Sequence, residues 1–307
     1  MNDFWTKVEK TLRHHGLTTL RAFRGAYWDL RPIPALKPIF VVGCSRAGTT
    51  LVYKTFSESP ELGTIQRETH DFWAGLHPLA EKGWSSHALS AADASERDRD
   101  FVARYFYVWS GRTRFVDKNN QNGLCVRYLQ ALFPDAYFVY VKRSPGDNIN
   151  SLIEGWDRPD QFATWSAELP AEVAIDGGKY RRWCFFLAEG WRQYLNASIE
   201  EVCAFQYTAM NRAILDARKA VPARQWIEIV YEDLVRDPVA GFRRAFDACG
   251  LSFTPELERH CATVISRPYN AFSEIRLDKW KAGRNRERIE RVLPSVLDAA
   301  RDMGYAF

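Results

Sequence analysis

The chain has 307 residues, of which 46% are hydrophobic and 26% charged, and its formal net charge is +4. This is ordinary globular composition, and so small an excess of positive charge does not indicate binding along a nucleic acid. No apolar run approaches the roughly 18–20 residues of a membrane span, and residues 1–36 lack the apolar core of a signal peptide, so we expect neither. The six cysteines form no C-x-x-C pair and the six histidines no H-x-x-x-H pair. We therefore predict a reducing, cytoplasmic location, no disulfide frame and no metal.

The predicted elements begin with an N-terminal arm, residues 1–36, and continue with one domain over residues 37–307. Residues 4–12 favour a short helix. Aromatic residues then alternate with arginines, which favours packing of the arm on the core through Phe23, Tyr27 and Trp28. A basic helix that meets a membrane surface or a partner is the alternative.

The stretch 39–56 carries the first functional signal. An apolar, β-branched run at 39–42 is typical of a buried parallel strand, and it leads through a turn between Gly43 and Gly48 into a helix that begins at Thr49. This geometry directs backbone N–H groups and a helix N-terminus at an anion, and Arg46 adds a positive charge. The glycine spacing matches the nucleotide-binding phosphate loop, but Thr49 occupies its lysine position. A turn that only joins strand to helix is the plain alternative.

Further elements follow in order. Residues 62–65 favour a short strand and 101–109 a helix capped by Ser95, after which 115–116 favour a brief strand and 124–133 a helix. The long segment 156–178 is typical of a lid or binding loop. Residues 180–215 favour one or two helices with a core stripe at Trp183, Leu187 and Trp191, 225–231 a strand, and 238–249 and 286–303 helices.

A second anion site is predicted near residue 143. The buried strand 136–141 ends in Lys142 and Arg143, and Pro145 suits the first turn of the helix that follows. Ser151 comes eight residues after Arg143, across that helix start, so a ligand with two separated anionic groups is implied. The recurrence of strand, helix and strand predicts an α/β fold with a parallel sheet.

These two segments resemble motifs of the sulfotransferases that use 3′-phosphoadenosine 5′-phosphosulfate. The run 43–51, G-C-S-R-A-G-T-T-L, is similar to their 5′-phosphosulfate loop, and 141–151 is similar to their 3′-phosphate motif, R-x-P with a serine eight residues after the arginine. The resemblance implies a phosphate-loop-type α/β fold, with a central parallel sheet flanked by helices, and a reaction that needs no metal. It also implies the cofactor-binding residues: Arg46, Ala47, Gly48, Thr49 and Thr50 for the 5′-phosphosulfate, Arg143 and Ser151 for the 3′-phosphate, and Tyr231, Ser266 and Lys279 as further contacts. A plain core tyrosine is the alternative for Tyr231.

The base is assigned through the same resemblance. Cytosolic members carry K-T-H, in which the histidine is the base, but here Lys118 is followed by two asparagines, and Asn120 cannot take a proton at neutral pH. Tyrosylprotein and some heparan-type members use a glutamate after the second strand, where this chain has Glu68. We expect Glu68 to be the general base and Lys118 to stabilise the bridging oxygen, with Arg46 assisting. His70 is the second candidate base, and a structural ion pair is the alternative for Glu68.

The sequence therefore predicts sulfuryl transfer from 3′-phosphoadenosine 5′-phosphosulfate to a hydroxyl or amine of a small-molecule or glycan acceptor. A non-catalytic nucleotide-binding protein and a phosphate-loop nucleotide kinase are the alternatives. Carbohydrate, lipid-linked sugar, phenol and peptide acceptors all stay open. The aromatic-rich segments 72–84, 105–109 and 156–165 line an acceptor cleft in one interpretation and belong to the core in the other.

Overall fold

Four parallel strands form the centre of the fold. The computed structural model describes residues 2–266 and 275–306, and side chains from residue 16 onward within them. The strands are β1 (Ile39–Val42), β2 (Val116–Asp117), β3 (Tyr137–Lys142) and β4 (Trp226–Val230), in the order β2-β1-β3-β4. Because every pair is parallel, the carboxyl ends of all four strands meet at one edge of the sheet. The predicted α/β fold with a central parallel sheet is confirmed.

Helices flank the sheet on both faces. In the described part of the chain they are α1 (Asn2–Leu30), α2 (Thr49–Phe56), α3 (His70–Leu76), α4 (Glu96–Ser110), α5 (Val126–Leu132), α6 (Pro145–Trp156), α7 (Pro159–Phe162), α8 (Ile175–Gly178), α9 (Ile199–Arg218), α10 (Tyr231–Arg236), α11 (Pro238–Ala248), α12 (Pro255–Thr263) and α13 (Arg286–Asp302). Within this set, α4 begins at the predicted cap, where the Ser95 hydroxyl accepts the N–H of Asp98, and α6 has Pro145 in its first turn.

Both faces of the sheet are buried, as a parallel sheet requires. Phe40 and Val42 of β1 belong to the core that α6 and α9 cover. Ile39 and Val41 point to the opposite face and belong to the core beneath α2 and α11. The site can therefore open to a ligand only at the edge of the sheet, beyond the strand ends.

Two predicted elements are shorter in the structure than the sequence indicates. The segment 62–65 makes only an isolated bridge, from Gly63 to Phe115, at the margin of the sheet. The predicted helix over 180–215 begins only at Ile199, after a capping box formed by Ser198 and Glu201. Residues 180–198 form no α-helix: they contain the short 3₁₀-helix Trp191–Tyr194 and are otherwise largely irregular, and Phe185 has a left-handed φ of +70°. The core stripe at Trp183, Leu187 and Trp191 is nevertheless fully buried.

The arm carries a helix longer than predicted, since α1 reaches from residue 2 to residue 30. It packs on α4 through charged side chains: Arg104 Nε donates to Asp29 Oδ1 at 2.8 Å, and the Arg21 guanidinium lies 3.7 Å from the centre of the Trp109 ring. Phe23 is 69% exposed, so the expectation that this ring packs on the core is wrong. The division into an arm and one domain stays a prediction.

Within the residues that the structure describes, no helix is both long and apolar enough to cross a bilayer. The six cysteines all lie in this part, and each is buried with a free thiol.

Candidate active site

A tight turn after β1 leads into α2, and two glycines make it possible. Gly48 has φ +101°, a left-handed conformation, and a Cβ at this position would collide with the ring of Tyr231. A Cβ at Gly43 would lie 2.7 Å from the carbonyl oxygen of Val141 on β3. The turn can therefore lie this close to the ends of β3 and β4 only because both positions lack a side chain.

The N–H groups at the start of α2 are the donors of this turn. The N–H of Ala47 already donates to the carbonyl of Cys44 at 3.0 Å, so Ala47 closes the turn. The N–H groups of Thr49 and Thr50 belong to the first turn of the helix, where no acceptor exists within the helix itself. They and the positive end of the helix dipole suit an anion.

Arg143 follows β3 and lies against this turn. Its Nη1 donates to the carbonyl of Arg46 at 2.8 Å, and its guanidinium lies 4.5 Å from the centre of the Tyr231 ring. The Tyr207 hydroxyl holds the backbone by donating to the carbonyl of Arg143 at 3.2 Å. Arg143 Nε is buried and has no hydrogen-bond partner among the described residues. A buried donor without an acceptor indicates a site that an anion completes.

Arg46 and Ser151 meet across the two anion sites. Arg46 Nε donates to Ser151 Oγ at 3.4 Å, and Arg46 has a left-handed φ of +66°. Burial, and then repulsion from Arg143, lower the pKa of Arg46 to about 10. Two guanidinium groups therefore share one partly buried site. The residues predicted to hold two ends of one ligand are brought together.

Glu68 lies at the centre of a cluster that closes the other side of the turn. Its Oε1 is 2.5 Å from Lys118 Nζ and 3.3 Å from Thr50 Oγ1, and its Oε2 is 2.7 Å from His70 Nε2. Lys118 also donates to Asn120 Oδ1 at 3.4 Å. The start of α2, the segment before α3 and the residue after β2 thus bring a hydroxyl, a carboxylate and an ammonium group to one point.

The charges of this cluster depend on one another. Burial alone would raise the pKa of Glu68, but Lys118 and His70 outweigh it and lower that pKa well below its usual range. The Lys118 side chain is only 4% exposed. Removal of one partner would leave the other as a buried charge without compensation.

Asp117, the last residue of β2, is a buried hydrogen-bond acceptor next to this cluster. It accepts from Thr69 Oγ1 at 2.6 Å, from Trp73 Nε1 at 2.9 Å and from Asn122 Nδ2 at 3.1 Å. Burial raises the pKa of Asp117, against these hydrogen bonds, which lower it. Thr69 directly follows Glu68 in the chain, and Lys118 directly follows Asp117. The hydrogen bond between Thr69 and the buried Asp117 carboxyl therefore fixes the two segments that carry Glu68 and Lys118 relative to each other.

A sequence model of the sulfotransferase family matches residues 38–255, which include the turn, Glu68, Lys118 and the Arg143 segment. The chain belongs to the sulfotransferase family. A comparison with curated protein sequences gives no match.

Solved sulfotransferase structures share the fold. Sulfotransferase STF9 from Mycobacterium avium superimposes with a TM-score of 0.53 at 16% identity, over 89% of this chain and 80% of that one. The sulfotransferase domain of the Synechococcus PCC 7002 olefin synthase gives a TM-score of 0.50 at 19% identity, over 90% of this chain and 98% of that one. At these identities the likeness shows the fold alone.

The remaining predicted cofactor residues of this sulfotransferase lie at different distances from the turn. Tyr231 is buried and packs between Gly48 and Arg143, one from each of the two predicted anion sites. Lys279 Nζ lies 3.0 Å from Glu154 Oε1, on α6 one turn after Ser151. Ser266 is exposed at the end of α12, and its hydroxyl donates to the Thr263 carbonyl at 2.9 Å.

A cavity of about 330 Å³ lies beside the cluster of Glu68 and Lys118, with His70 and Asn120 in its lining. Aromatic residues of the predicted cleft segments line it as well, namely Trp84, Phe162 and Trp165. Phe185, in the segment mispredicted as helix, completes this wall. Sequence reasoning missed Phe185 and the role of Asp117. The position of Asp117 directly before Lys118 was the only available signal for it.

Among residues 2–266 and 275–306, no group of three or more histidine, cysteine or acidic side chains is arranged to hold a metal. The expectation of a metal-free reaction stays a prediction.

Proposed function

We propose that the chain is a sulfotransferase that uses 3′-phosphoadenosine 5′-phosphosulfate to sulfate a hydroxyl, or an amine, of a small-molecule or glycan acceptor. One observation carries the proposal: Thr50, Glu68 and Lys118 come from three separate segments, yet each of the three pairs lies within 3.4 Å. Such a convergence beside an anion-binding turn supplies both a base and a cation where sulfuryl transfer needs them.

The donor fits the two arginine sites. Arg46 and the N–H groups of Gly48, Thr49 and Thr50 would hold the 5′-phosphosulfate, and Ala47 shapes the turn. Arg143 and Ser151 would hold the 3′-phosphate, and the unpaired Nε of Arg143 supports an anion there. Lys279, whose partner Glu154 lies one turn after Ser151 on α6, would be a further contact, as would Ser266, and Tyr231 would support the site by packing against Gly48 and Arg143.

The bound donor supplies the sulfuryl group, and the residues manage the proton and the charge. The acceptor oxygen forms a bond to sulfur as the bond from sulfur to the bridging oxygen breaks, and 3′-phosphoadenosine 5′-phosphate leaves. Glu68 takes the acceptor proton, while Lys118 and Arg46 stabilise the negative charge that develops on the bridging oxygen.

The ion pair between Glu68 and Lys118 bears on the strength of the base. A carboxylate whose pKa is lowered this far is a weak base, but Lys118 cannot serve Glu68 and the bridging oxygen equally. As Lys118 turns to the bridging oxygen, Glu68 loses its main compensating charge and regains basicity. His70, in contact with Glu68, is the alternative base. This arrangement supports a place nearer the glutamate-base branch of the family than the K-T-H branch.

The test is transfer of labelled sulfate from the donor to a panel of hydroxyl and amine acceptors. We expect labelled product from the wild type, and a loss of about 10²–10³-fold in kcat for Lys118→Met, the effect of removing one stabiliser of a developing oxyanion. Lys179→Met is the control, since Lys179 is an exposed lysine paired with Asp157. Tight binding of the adenosine bisphosphate without transfer would favour a non-catalytic binding protein, and magnesium-dependent ATP turnover would favour a kinase.

A further inference from the structure

The cavity beside the catalytic cluster carries information about the acceptor. Resting on the proposed function, we propose that the cavity takes an uncharged, largely apolar alcohol or phenol with a second oxygen, which accepts a hydrogen bond from Trp165. Four features of the cavity support this assignment, namely its position, its aromatic wall, the N–H donors in that wall and the charges at its rim.

The cavity adjoins both reacting sides of the site. His70, which contacts Glu68 at 2.7 Å, and Asn120, which contacts Lys118 at 3.4 Å, form one end of its lining. Phe162 lies on the donor side, since the Arg46 guanidinium is 5.4 Å from the centre of its ring. A hydroxyl carried by a molecule in this cavity is therefore next to the proposed base. The volume of about 330 Å³ is at the lower end of the about 300–1,000 Å³ typical of small-molecule pockets.

The wall of the cavity is aromatic and is held by unusual backbone. Trp84 and Phe185 both have left-handed φ angles, +56° and +70°, which cost free energy in residues that have a Cβ. Phe185 also presses on Gly155, where a Cβ would lie 2.6 Å from its ring. A fold that maintains two such conformations in one wall holds those rings where an apolar ligand body would contact them.

Two N–H donors in the same wall are suited to an oxygen acceptor on the ligand. Trp165 Nε1 is buried and has no hydrogen-bond partner in the part of the chain that the structure describes. The ring of His87 meets the Trp165 ring edge-on, with centroids 4.9 Å apart. His87 Nδ1 accepts the N–H of Leu187 at 2.8 Å, so its own proton is on Nε2, and burial lowers the pKa of His87 to about 3. Both groups are thus neutral donors, which suit a carbonyl or hydroxyl oxygen rather than an ammonium group.

The rim of the cavity disfavours anions. Asp71 and Glu168 line it with exposed carboxylates, and the described lining contains neither lysine nor arginine. A carboxylate or sulfated acceptor would be repelled from this rim. The acceptor is therefore expected to be uncharged, which excludes polyanionic glycans.

The experiment is a set of calorimetric titrations with three phenols, on protein loaded with 3′-phosphoadenosine 5′-phosphate. The phenols are 4-hydroxyacetophenone, 4-isopropylphenol, which replaces the carbonyl oxygen by a methyl group, and 4-hydroxybenzoate, which is anionic. Trp165→Phe removes the N–H and keeps an aromatic ring. We expect the affinity ratio of the ketone to the isopropyl compound to fall by about threefold to tenfold in this variant, the worth of one neutral hydrogen bond.

The charge of the rim is tested separately, on exposed residues whose substitution does not threaten folding. We expect Glu168→Gln to tighten 4-hydroxybenzoate binding by about twofold to fivefold, as for an exposed charge. Glu172→Gln is the matched control, since Glu172 is exposed on the same segment and is not part of the lining, and we expect no change for it.

The outcomes separate this inference from the proposed function. An unchanged affinity ratio in Trp165→Phe, tightest binding of 4-hydroxybenzoate by the wild type, or no binding of any phenol would overturn the acceptor class while nucleotide binding persists. Failure to bind the nucleotide would instead count against the proposed function, and the same phenol titrations on the nucleotide-free protein would still decide the chemistry of the cavity. If Trp165→Phe does not fold, the wild type decides the question, since equal affinities for the ketone and the isopropyl compound would overturn the proposed hydrogen bond, and the Glu168 and Glu172 pair still tests the rim.

Discussion

The proposed donor side and the proposed acceptor side of this site are built in different ways. The donor side consists of the ends of β1 and β3 with the helices that follow them, so a few neighbouring residues, such as 43–50 and 143–151, would provide its contacts. The acceptor side is assembled from residues far apart in the chain, among them His70, Trp165 and Phe185, on irregular backbone. Glu68 and Lys118 lie between the two. The residues of the donor side are thus fixed by the fold itself, whereas those of the acceptor side can vary without changing the sheet.

If Glu68 acts between the two sides, its loss must affect chemistry more than either binding event. We expect Glu68→Gln to reduce kcat by about 10²–10⁴-fold, the usual contribution of a general base, because an amide cannot accept the acceptor proton. Affinity for 3′-phosphoadenosine 5′-phosphate should not fall, because Glu68→Gln leaves the buried Lys118 charge without its carboxylate and a bound anion can compensate it. Single-turnover kinetics and calorimetry measure the two quantities.

His70→Gln is the control for that variant. We expect a smaller loss in kcat for His70→Gln, because this substitution removes a partner of the carboxylate and leaves the carboxylate in place. A larger loss for His70→Gln than for Glu68→Gln would exchange the roles of the two residues.

The rigidity of the donor side can be tested by adding one methyl group. Gly48→Ala and Gly83→Ala both place alanine at a positive φ, but only at Gly48 would the new Cβ collide with an aromatic ring, whereas Gly83 has open space around it. We expect Gly83→Ala to cost about 1–2 kcal/mol of unfolding free energy, and Gly48→Ala to cost about 1–3 kcal/mol more and to abolish nucleotide binding. Urea denaturation measures both. Equal costs would mean that the turn at Gly48 can shift to accommodate a methyl group, so the donor side would not be rigid.

The pH dependence distinguishes the carboxylate from other bases. Lys118 and His70 lower the pKa of Glu68, so this carboxyl stays ionised in the folded chain. We therefore expect no fall in kcat/KM as the pH decreases from about 8 to about 5. The same shift stabilises the fold above the ordinary carboxyl pKa of about 4.3, and this stability is lost as the pH falls through the lowered value. A fall in kcat/KM with a midpoint near pH 6.5, the ordinary histidine range, would contradict Glu68 as the base.

The sequence predicted the strands, the turn and the helix starts of the proposed donor side well because their signals are local. A buried strand, two glycines and a helix start lie within eighteen residues, 39–56, and the neighbouring arginines follow strands that any parallel sheet brings to one edge. Glu68 and Lys118 were identified by resemblance, and their contact was visible only in three dimensions. Their catalytic roles stay predictions.

Part of the proposed acceptor side escaped prediction for physical reasons. The spacing of Trp183, Leu187 and Trp191 mimics an α-helical stripe, although the segment contains only the short 3₁₀-helix Trp191–Tyr194 and its tryptophans are buried by tertiary packing. The left-handed backbone of Phe185, which aims its ring at Gly155 and the cavity, leaves no pattern in the sequence. Asp117 is a buried hydrogen-bond acceptor, and its role likewise depends on donors at residues 69, 73 and 122, which only the fold brings together.

The central claim, that the two arginine sites hold the two ends of one adenosine bisphosphate, is tested most directly by calorimetry at neutral pH. We predict one site per chain that binds 3′-phosphoadenosine 5′-phosphate about 10–100-fold more tightly than adenosine 5′-phosphate, since the 3′-phosphate adds charged hydrogen bonds. This difference should vanish in Arg143→Gln and persist in Arg236→Gln, an exposed arginine paired with Asp233. No heat of binding, or equal affinity of the wild type for the two nucleotides, would contradict the account.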